Sequence, residues 1–86
     1  MKTDIPELNL EIADFLKARA AAMEKKSSDK FKALAYHRAA RAVGQEPRNL
    51  WGVFRSGGLS ALQKIEGIGP RLAWVIIAQL KKTKPQ

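Results

Sequence analysis

Apolar residues recur along the chain at the three- and four-residue spacing of amphipathic helices, and no stretch shows the alternation of a half-buried strand. Five segments of this kind follow one another, and they predict helices at residues 9–25, 29–43, 48–55, 59–65 and 70–82. The expected fold class is therefore all-α, a compact bundle of five short helices that forms one domain over residues 1–86.

Capping residues set the expected helix ends. Asn9 is a candidate N-cap for the first helix, and the break at residues 26–29 supplies caps for the second. Gly44 is expected to close the second helix, and Pro70 suits the first turn of the last one.

The first three predicted helices each have an apolar face that is expected in the core. The residues of these faces are Leu10, Ile12, Ala13, Phe15, Leu16, Ala20 and Met23, then Phe31, Leu34, Ala35, Ala39, Ala42 and Val43, then Leu50, Trp51, Val53 and Phe54. Fraying is expected only in the first few residues and at residues 83–86.

The connection between the last two helices has a distinct chemistry. A turn of the type Gly67-Ile68-Gly69 folds sharply because its glycines carry no Cβ, and we expect its successive amides to point outward unpaired. The dipole of the following helix adds partial positive charge at the same place, and Lys64 and Arg71 flank the turn. Ile68 is expected to pack into the core. The pattern is that of a helix-hairpin-helix, and it predicts a sequence-independent grip on nucleic-acid phosphate.

The charge of the chain is distributed unevenly. Its formal net charge is +8, yet residues 1–26 carry five basic and five acidic side chains. The whole excess therefore lies in the part that contains the hairpin, which favours phosphate binding there. A merely solubilising surface charge is the alternative. Lys32, Arg38 and Arg41 of one helix are expected to bind DNA phosphate. Their spacings do not place all three on one face, so two separate basic strips are possible.

Composition excludes several kinds of site. The chain has no cysteine and a single histidine, His37, so no disulfide, thiol chemistry, built-in metal site or catalytic base is expected. His37 is expected to face outward as a donor to solvent or DNA. No apolar run reaches the length of a membrane span, and the N-terminus lacks a signal peptide, so we expect a cytoplasmic protein without a membrane partner. No cofactor is expected. The one exception left open is a monovalent cation bound at the hairpin when DNA is present.

The second helix resembles a known sequence run. Residues 31–43, Phe-Lys-Ala-Leu-Ala-Tyr-His-Arg-Ala-Ala-Arg-Ala-Val, look like the Phe-Arg-x-x-Ala-Tyr-Arg-x-Ala-Ala-Arg-x-Ile run of family X DNA polymerases. Residues 9–16 and 57–80 resemble the first helix and the hairpin of the same small N-terminal domain. The resemblance covers nearly the whole chain and implies a SAM-like fold of the DNA polymerase beta N-terminal type.

The resemblance also implies a ligand. In that family the domain binds the 5′-phosphate side of gapped or nicked DNA, and some members excise an abasic sugar phosphate through a lysine Schiff base. Lys32 and Tyr36 match residues of the family's phosphate pocket, and Arg71 keeps a positive charge usually supplied by lysine. The expected partner is gapped, nicked or single-stranded DNA in repair or replication, bound by a monomer.

The resemblance fails at the position of the nucleophile. Val75 stands there, and without an amine it cannot form the Schiff base. The chain also ends after the small domain, which leaves no polymerase catalytic carboxylates. We therefore expect a free-standing binding domain that is not an enzyme.

Two further hypotheses remain open. Lys32, Lys64 or a tail lysine could replace the nucleophile in a weak abasic-site lyase. Trp74 and Val75 make the last helix apolar almost all round, which is explained either by burial beneath the first helix or by a patch that binds a repair or replication protein.

Two other aromatic residues also need placing. Tyr36 is either a half-buried aromatic or a hydroxyl directed at phosphate, and Trp51 is expected in the core.

Overall fold

Four helices make up the part of the chain that the structure describes. The computed structural model describes residues 5–26 and 30–82. Its helices are α1 (Glu7–Glu24), α2 (Lys30–Gln45), α3 (Leu50–Gln63) and α4 (Pro70–Lys82), and the described residues contain no strand. Helix α1 packs chiefly against α2 and α3 chiefly against α4, while α4 also contacts α1 and α2. The all-α class is confirmed, and α4 has the bounds that the sequence predicts.

The expected number of five helices is wrong. The predicted helices at 48–55 and 59–65 belong to one element, α3, because the turn between them is reduced to Gly58. Gly58 alone leaves helical geometry, with φ 66° and ψ −151°. A positive φ costs glycine little, so the chain bends at one residue and resumes the helix at once. Helix α3 begins at Leu50 because the side chain of Asn49 caps it, accepting hydrogen bonds from the amides of Trp51 and Gly52.

Asn9 has a different role from the predicted one. Helix α1 begins two residues earlier, at Glu7, so Asn9 lies inside the helix and is fully buried. Its Nδ2 donates to the backbone oxygens of Glu46 (2.9 Å) and Arg48 (2.8 Å), and its Oδ1 accepts from the amide of Leu50 at 3.0 Å. Asn9 therefore fixes the α2–α3 loop and the first residue of α3 against α1.

The buried face of α2 is built from smaller residues than the sequence pattern suggests. Phe31 and Leu34, both expected in the core, are exposed, and so is Leu10 of α1. The buried residues of α2 are Ala33, Tyr36, Ala39, Ala40 and Val43. These residues lie on one side of α2, and the 100° turn per residue places Phe31 and Leu34 off that side. Helices α1 and α2 approach closely at Gly44, where a Cβ would lie 3.8 Å from the Cβ of Ala13.

The remaining predicted helix ends have mixed outcomes. Gly44 does not close α2, which continues to Gln45, and Gly44 has no positive φ of the kind a glycine cap requires. The caps predicted at residues 27–29 and the fraying predicted at the termini lie outside the described residues.

Large aliphatic side chains from all four helices form the core. Those with the greatest volume and almost no exposure are Ile12, Leu16, Val43, Leu50, Leu62, Ile76 and Leu80. Trp51 and Phe54 are half-buried and pack against this core, with ring centroids 5.8 Å apart. In the described part of the chain, no helix combines the length and apolar character needed to cross a membrane.

Candidate nucleic-acid interface

The hairpin turn connects α3 to α4 through a short series of backbone hydrogen bonds. The amide of Ile65 donates to the oxygen of Leu62, and the amide of Ile68 donates to the oxygen of Ile65, both at 3.1 Å. The turn reverses at Gly67, where φ is 99°, a conformation that side chains with a Cβ rarely adopt. Ile68 is 4% exposed and belongs to the core cluster, so its predicted packing into the core is confirmed.

Gly67 also lies directly against α2. A Cβ at this position would be 3.2 Å from the Cβ of Ala42 and 3.3 Å from the backbone oxygen of Arg38. These separations leave no room for a side chain without displacement of α2 or the turn. The hairpin is therefore held at a fixed position beside the basic residues of α2.

The N-terminus of α4 supplies free amide donors. The amide of Ala73 donates to the oxygen of Gly69 at 2.9 Å, which makes Gly69 the first carbonyl of the helix. Within the described residues, the amides of Gly69, Arg71 and Leu72 have no backbone acceptor, and Pro70 has no N–H. The expectation of successive free amides through the turn is corrected at Ile68, whose amide donates inward to Ile65.

A groove of about 630 Å³ runs between the hairpin and the first half of α2, and we call it the hairpin groove. Three basic side chains line it, Lys32 and Arg38 from α2 and Arg71 from α4. The backbone of the turn forms its other wall, through Gly67, Ile68 and Gly69. A Cβ built on Gly69 would meet nothing within 4 Å, so this residue faces open space. The groove therefore unites three cations with the amide-rich end of α4.

A second groove, of about 620 Å³, lies on the other side of the turn, and we call it the α2 groove. The two grooves share four lining residues, Arg38, Ile65, Glu66 and Gly67. Arg41 and His37 line the α2 groove and not the hairpin groove. The basic residues of α2 thus line two grooves that share Arg38, whereas the sequence leaves open two separate basic strips.

Carboxylates accompany the cations of the α2 groove. Glu46 lines it and is paired with Arg48, whose Nε and backbone amide donate to its Oε2 at 2.7 Å and 3.1 Å. The hydrogen bond from the Arg48 side chain lowers the pKa of Glu46 against the opposing effect of burial, and it raises the pKa of Arg48. Glu66 makes no ion pair within the described residues and lines both grooves.

Two of the predicted phosphate-binding residues do not reach either groove. Tyr36 is 7% exposed and belongs to the core cluster, as a packed aromatic of α2. Lys64 is the C-cap residue of α3 and is exposed. Tyr36 and Lys64 therefore line neither groove, whereas Lys32, Arg38 and Arg71 all line the hairpin groove.

His37 is exposed, as predicted, and its partner is a carboxylate. Its Nε2 lies 2.9 Å from Oε2 of Glu24 at the end of α1. The pair bridges α1 and α2 at the surface. The described residues contain no group of three or more histidine, cysteine or acidic side chains that could hold a metal ion.

Trp74 and Val75 have different surroundings. Trp74 is 60% exposed, so burial beneath the first helix, one of the two explanations considered from the sequence, is wrong for this side chain. Val75 is half-buried and packs against the core cluster. The core face of α4 is complete without Trp74, because Leu72, Ala73, Ile76, Ile77 and Leu80 already fill it.

Sequence reasoning missed the role of Phe31. It lines the hairpin groove and is 87% exposed, beside Lys32. The helical spacing of apolar residues placed it in the core, and only its position next to a lysine in a basic segment indicated otherwise. Gln63 and Glu66 also line the groove and were not singled out.

The comparisons with known proteins agree with this geometry. A family model described as the helix-hairpin-helix domain matches residues 7–85. Comparisons with curated proteins and with solved structures gave no match. Helix-hairpin-helix domains generally bind DNA, and the hairpin between α3 and α4 is the motif that defines them. The chain belongs to the helix-hairpin-helix domain family.

Proposed function

We propose that this protein binds DNA through backbone phosphates, without sequence preference and without catalysis, in DNA repair or replication. The preferred form is gapped, nicked or single-stranded DNA that carries a 5′-phosphate. The observation that supports this most directly is the hairpin groove, where Lys32, Arg38 and Arg71 converge on the N-terminus of α4.

Phosphate fits this groove for three physical reasons. The free amides of Gly69, Arg71 and Leu72 are donors, the helix dipole adds about half a positive charge, and the side chains add full charges. None of these groups distinguishes one base from another, so affinity comes from the backbone.

A terminal phosphate suits the groove better than an internal one. A phosphate monoester carries about −1.5 to −2 charges at neutral pH and three acceptor oxygens, whereas an internal diester carries one charge. A site with three cations therefore gains more from a 5′-end.

Phe31 supports the preference for unpaired nucleotides. An exposed aromatic ring beside a basic groove is suited to stack on an unpaired base, which a closed duplex does not offer. Gapped and single-stranded DNA can supply both a backbone for the groove and a base for the ring.

Absence of catalysis is proposed from the position of Val75. The lyase of family X polymerases needs an amine there, and Val75 is half-buried against the core. Borohydride treatment with a 5′-abasic substrate tests this part separately. No covalent adduct is expected, and a trapped adduct that is lost in Lys32→Ala would replace the proposal by a lyase with a displaced nucleophile.

The main experiment is a titration of labelled DNA at several salt concentrations. Gapped DNA with a 5′-phosphate is compared with its 5′-hydroxyl counterpart, with intact duplex and with a single strand. We expect the log of the association constant to fall with the log of salt by about 0.7 to 0.9 per phosphate contact. Absence of binding at low salt, or binding without salt dependence, would refute the proposal.

Gly69 offers a substitution directed at the groove itself. Gly69→Ala adds a Cβ at a position with no neighbour within 4 Å and no positive φ, so the fold is expected to persist. The added methyl group lies where the DNA backbone would approach, and DNA affinity should fall. The matched control is Gly52→Ala at an exposed position of α3, where a Cβ also has open space, and this variant should leave affinity unchanged.

The exposure of Trp74 favours a second candidate, an adaptor that binds a repair or replication protein through this residue. A Trp51→Phe variant leaves Trp74 as the only tryptophan. Its fluorescence should be quenched by iodide in the free protein and protected when a partner binds. Protection in the free protein would remove this candidate.

A further inference from the structure

We propose that the DNA-binding surface continues from the hairpin along α2 to Lys17 of α1, where it binds further phosphates of the same DNA. This inference rests on the proposed function and extends its footprint to residues that the hairpin does not include. A third groove, of about 540 Å³, carries it. Its lining consists of Lys17, His37, Ala40, Arg41, Gly44 and Gln45, and we call it the α1–α2 groove.

The three grooves are neighbours that share lining residues. The hairpin groove and the α2 groove share Arg38 and the turn, and the α2 groove and the α1–α2 groove share His37, Arg41 and Gln45. Arg38 therefore lies between the hairpin groove and the α2 groove, and Arg41 lies between the α2 groove and the α1–α2 groove. A polymer with a charge at each repeat can contact the whole series, whereas a single small anion could occupy only one groove.

The charge of the α1–α2 groove favours an anion. Its lining contains Lys17 and Arg41 and no acidic residue. Neither cation makes an ion pair within the described residues, so both are available to a ligand. His37, the third titratable group of the lining, is paired with Glu24. The lining of this groove thus contains two cations and no carboxylate, in contrast to the α2 groove, and the Glu24 carboxylate beside it is held by His37.

The length of the path matches several nucleotides. Lys32 and Arg41 are nine positions apart on α2, which is an axial separation of about 14 Å at about 1.5 Å per residue. Nine positions are also about two and a half turns, so the path passes around the helix from one side to the other and is longer than this axial separation. Phosphates of one strand recur every 3.4 Å or so along a duplex axis, so this span covers about four of them. The path is therefore long enough to add contacts that a hairpin bound to one terminal phosphate would not make.

The test compares two charge-matched double variants. Lys17→Gln with Arg41→Gln removes the cations of the α1–α2 groove and leaves the hairpin groove intact. Arg19→Gln with Lys26→Gln removes the same charge from a separate surface depression that shares no lining residue with the three grooves. Circular dichroism checks that both variants keep their helix content.

For the first variant we expect the salt slope on gapped DNA to fall by about 1.4 to 1.8, the value for two lost phosphate contacts. Its preference for a 5′-phosphate over a 5′-hydroxyl should stay at the wild-type ratio. The gain in affinity when a single strand is lengthened from about three to eight nucleotides should shrink in this variant and persist in the control.

Two outcomes separate this inference from the proposed function. If the wild-type protein binds gapped DNA but the two double variants have equal slopes, the path along α2 is refuted and the hairpin site stands. If the wild-type protein binds no DNA at low salt, the proposed function fails and this inference fails with it.

Discussion

Gly67 of the hairpin turn lies so close to Ala42 of α2 that a Cβ on the glycine would be 3.2 Å from the alanine Cβ. The same glycine has φ 99°, so both its conformation and its surroundings require the absence of a side chain. This contact joins the two parts of the candidate interface, because the turn supplies the backbone and α2 supplies Arg38 and Arg41. The position of the phosphate-binding groups therefore depends on packing between the hairpin and α2.

Gly67→Ala should destabilise the protein. A non-glycine residue at positive φ costs about 1 to 3 kcal/mol, and the close contacts with Ala42 and the Arg38 oxygen add to this. Urea unfolding followed by circular dichroism measures the loss. Gly69→Ala, which has neither constraint, should lie within about 0.5 kcal/mol of the wild type. Equal free energies of unfolding for the two variants would contradict the assigned geometry.

Asn9→Ala should destabilise the protein more than Asn49→Ala, since it removes three hydrogen bonds, two of them buried and one partly buried. The amide of Leu50 and the oxygens of Glu46 and Arg48 would lose their partner, at a cost of about 1 to 3 kcal/mol for each group left buried and unpaired. Asn49→Ala, which removes only an exposed helix cap, should cost about 1 kcal/mol. Urea unfolding of both variants checks the order, and a larger loss for Asn49→Ala would contradict the role of Asn9.

The pair Glu46–Arg48 predicts a dependence of stability on pH. The Arg48 side chain lowers the pKa of Glu46 in the folded state. A group with a lowered folded pKa contributes stability above its unfolded pKa, which is about 4.3 for glutamate, and that contribution disappears as the pH falls through the folded value. The free energy of unfolding should therefore decline below about pH 4.3, and Glu46→Gln should decline less. Identical pH profiles for the two proteins would exclude this contribution.

The parts of the fold that depend on local signals could be predicted from the sequence. Pro70 and the Gly-Ile-Gly turn identify the start of α4 and the hairpin, because their conformations are set by the residues themselves. Packing between distant segments could not be predicted in the same way. Asparagine is a residue type common at helix N-caps, so the sequence predicts that role for Asn9. Its three hydrogen-bond partners lie about 40 positions away, at the α2–α3 loop and the start of α3, and no local signal indicates them.

The candidate site follows the same division. The sequence identified the turn, Lys32, Arg38 and Arg71, which the structure brings into one groove. The sequence pattern predicts Phe31 in the core because the spacing of apolar residues alone does not show which of two possible apolar faces is buried. The buried face of α2 is instead the one that carries most of its alanines, and Phe31 lies off that face.

Phe31→Ala should weaken binding to single-stranded and gapped DNA while leaving intact duplex unaffected. Stacking of a base on an aromatic ring contributes about 1 to 3 kcal/mol, so affinity for an unpaired strand should fall about 5- to 150-fold. Stability should change little because the ring is 87% exposed. Leu10→Ala on α1 is the control, as an exposed apolar side chain outside all three grooves. An equal loss on duplex and on unpaired DNA would show that Phe31 does not stack on a base.

Glu66→Gln should strengthen DNA binding. Its carboxylate lines both the hairpin groove and the α2 groove without an ion pair in the described part of the chain, so it repels a phosphate held by Arg38 or Arg71. At a separation of several ångströms in water this repulsion is about 0.5 to 1 kcal/mol, which predicts a two- to fivefold gain at low salt and a smaller gain at high salt. Glu11→Gln removes the same charge from an exposed position on α1 and controls for net charge. DNA titrations of the two variants at two salt concentrations make this comparison. Equal gains in DNA affinity would mean that Glu66 acts through net charge and does not face the bound backbone.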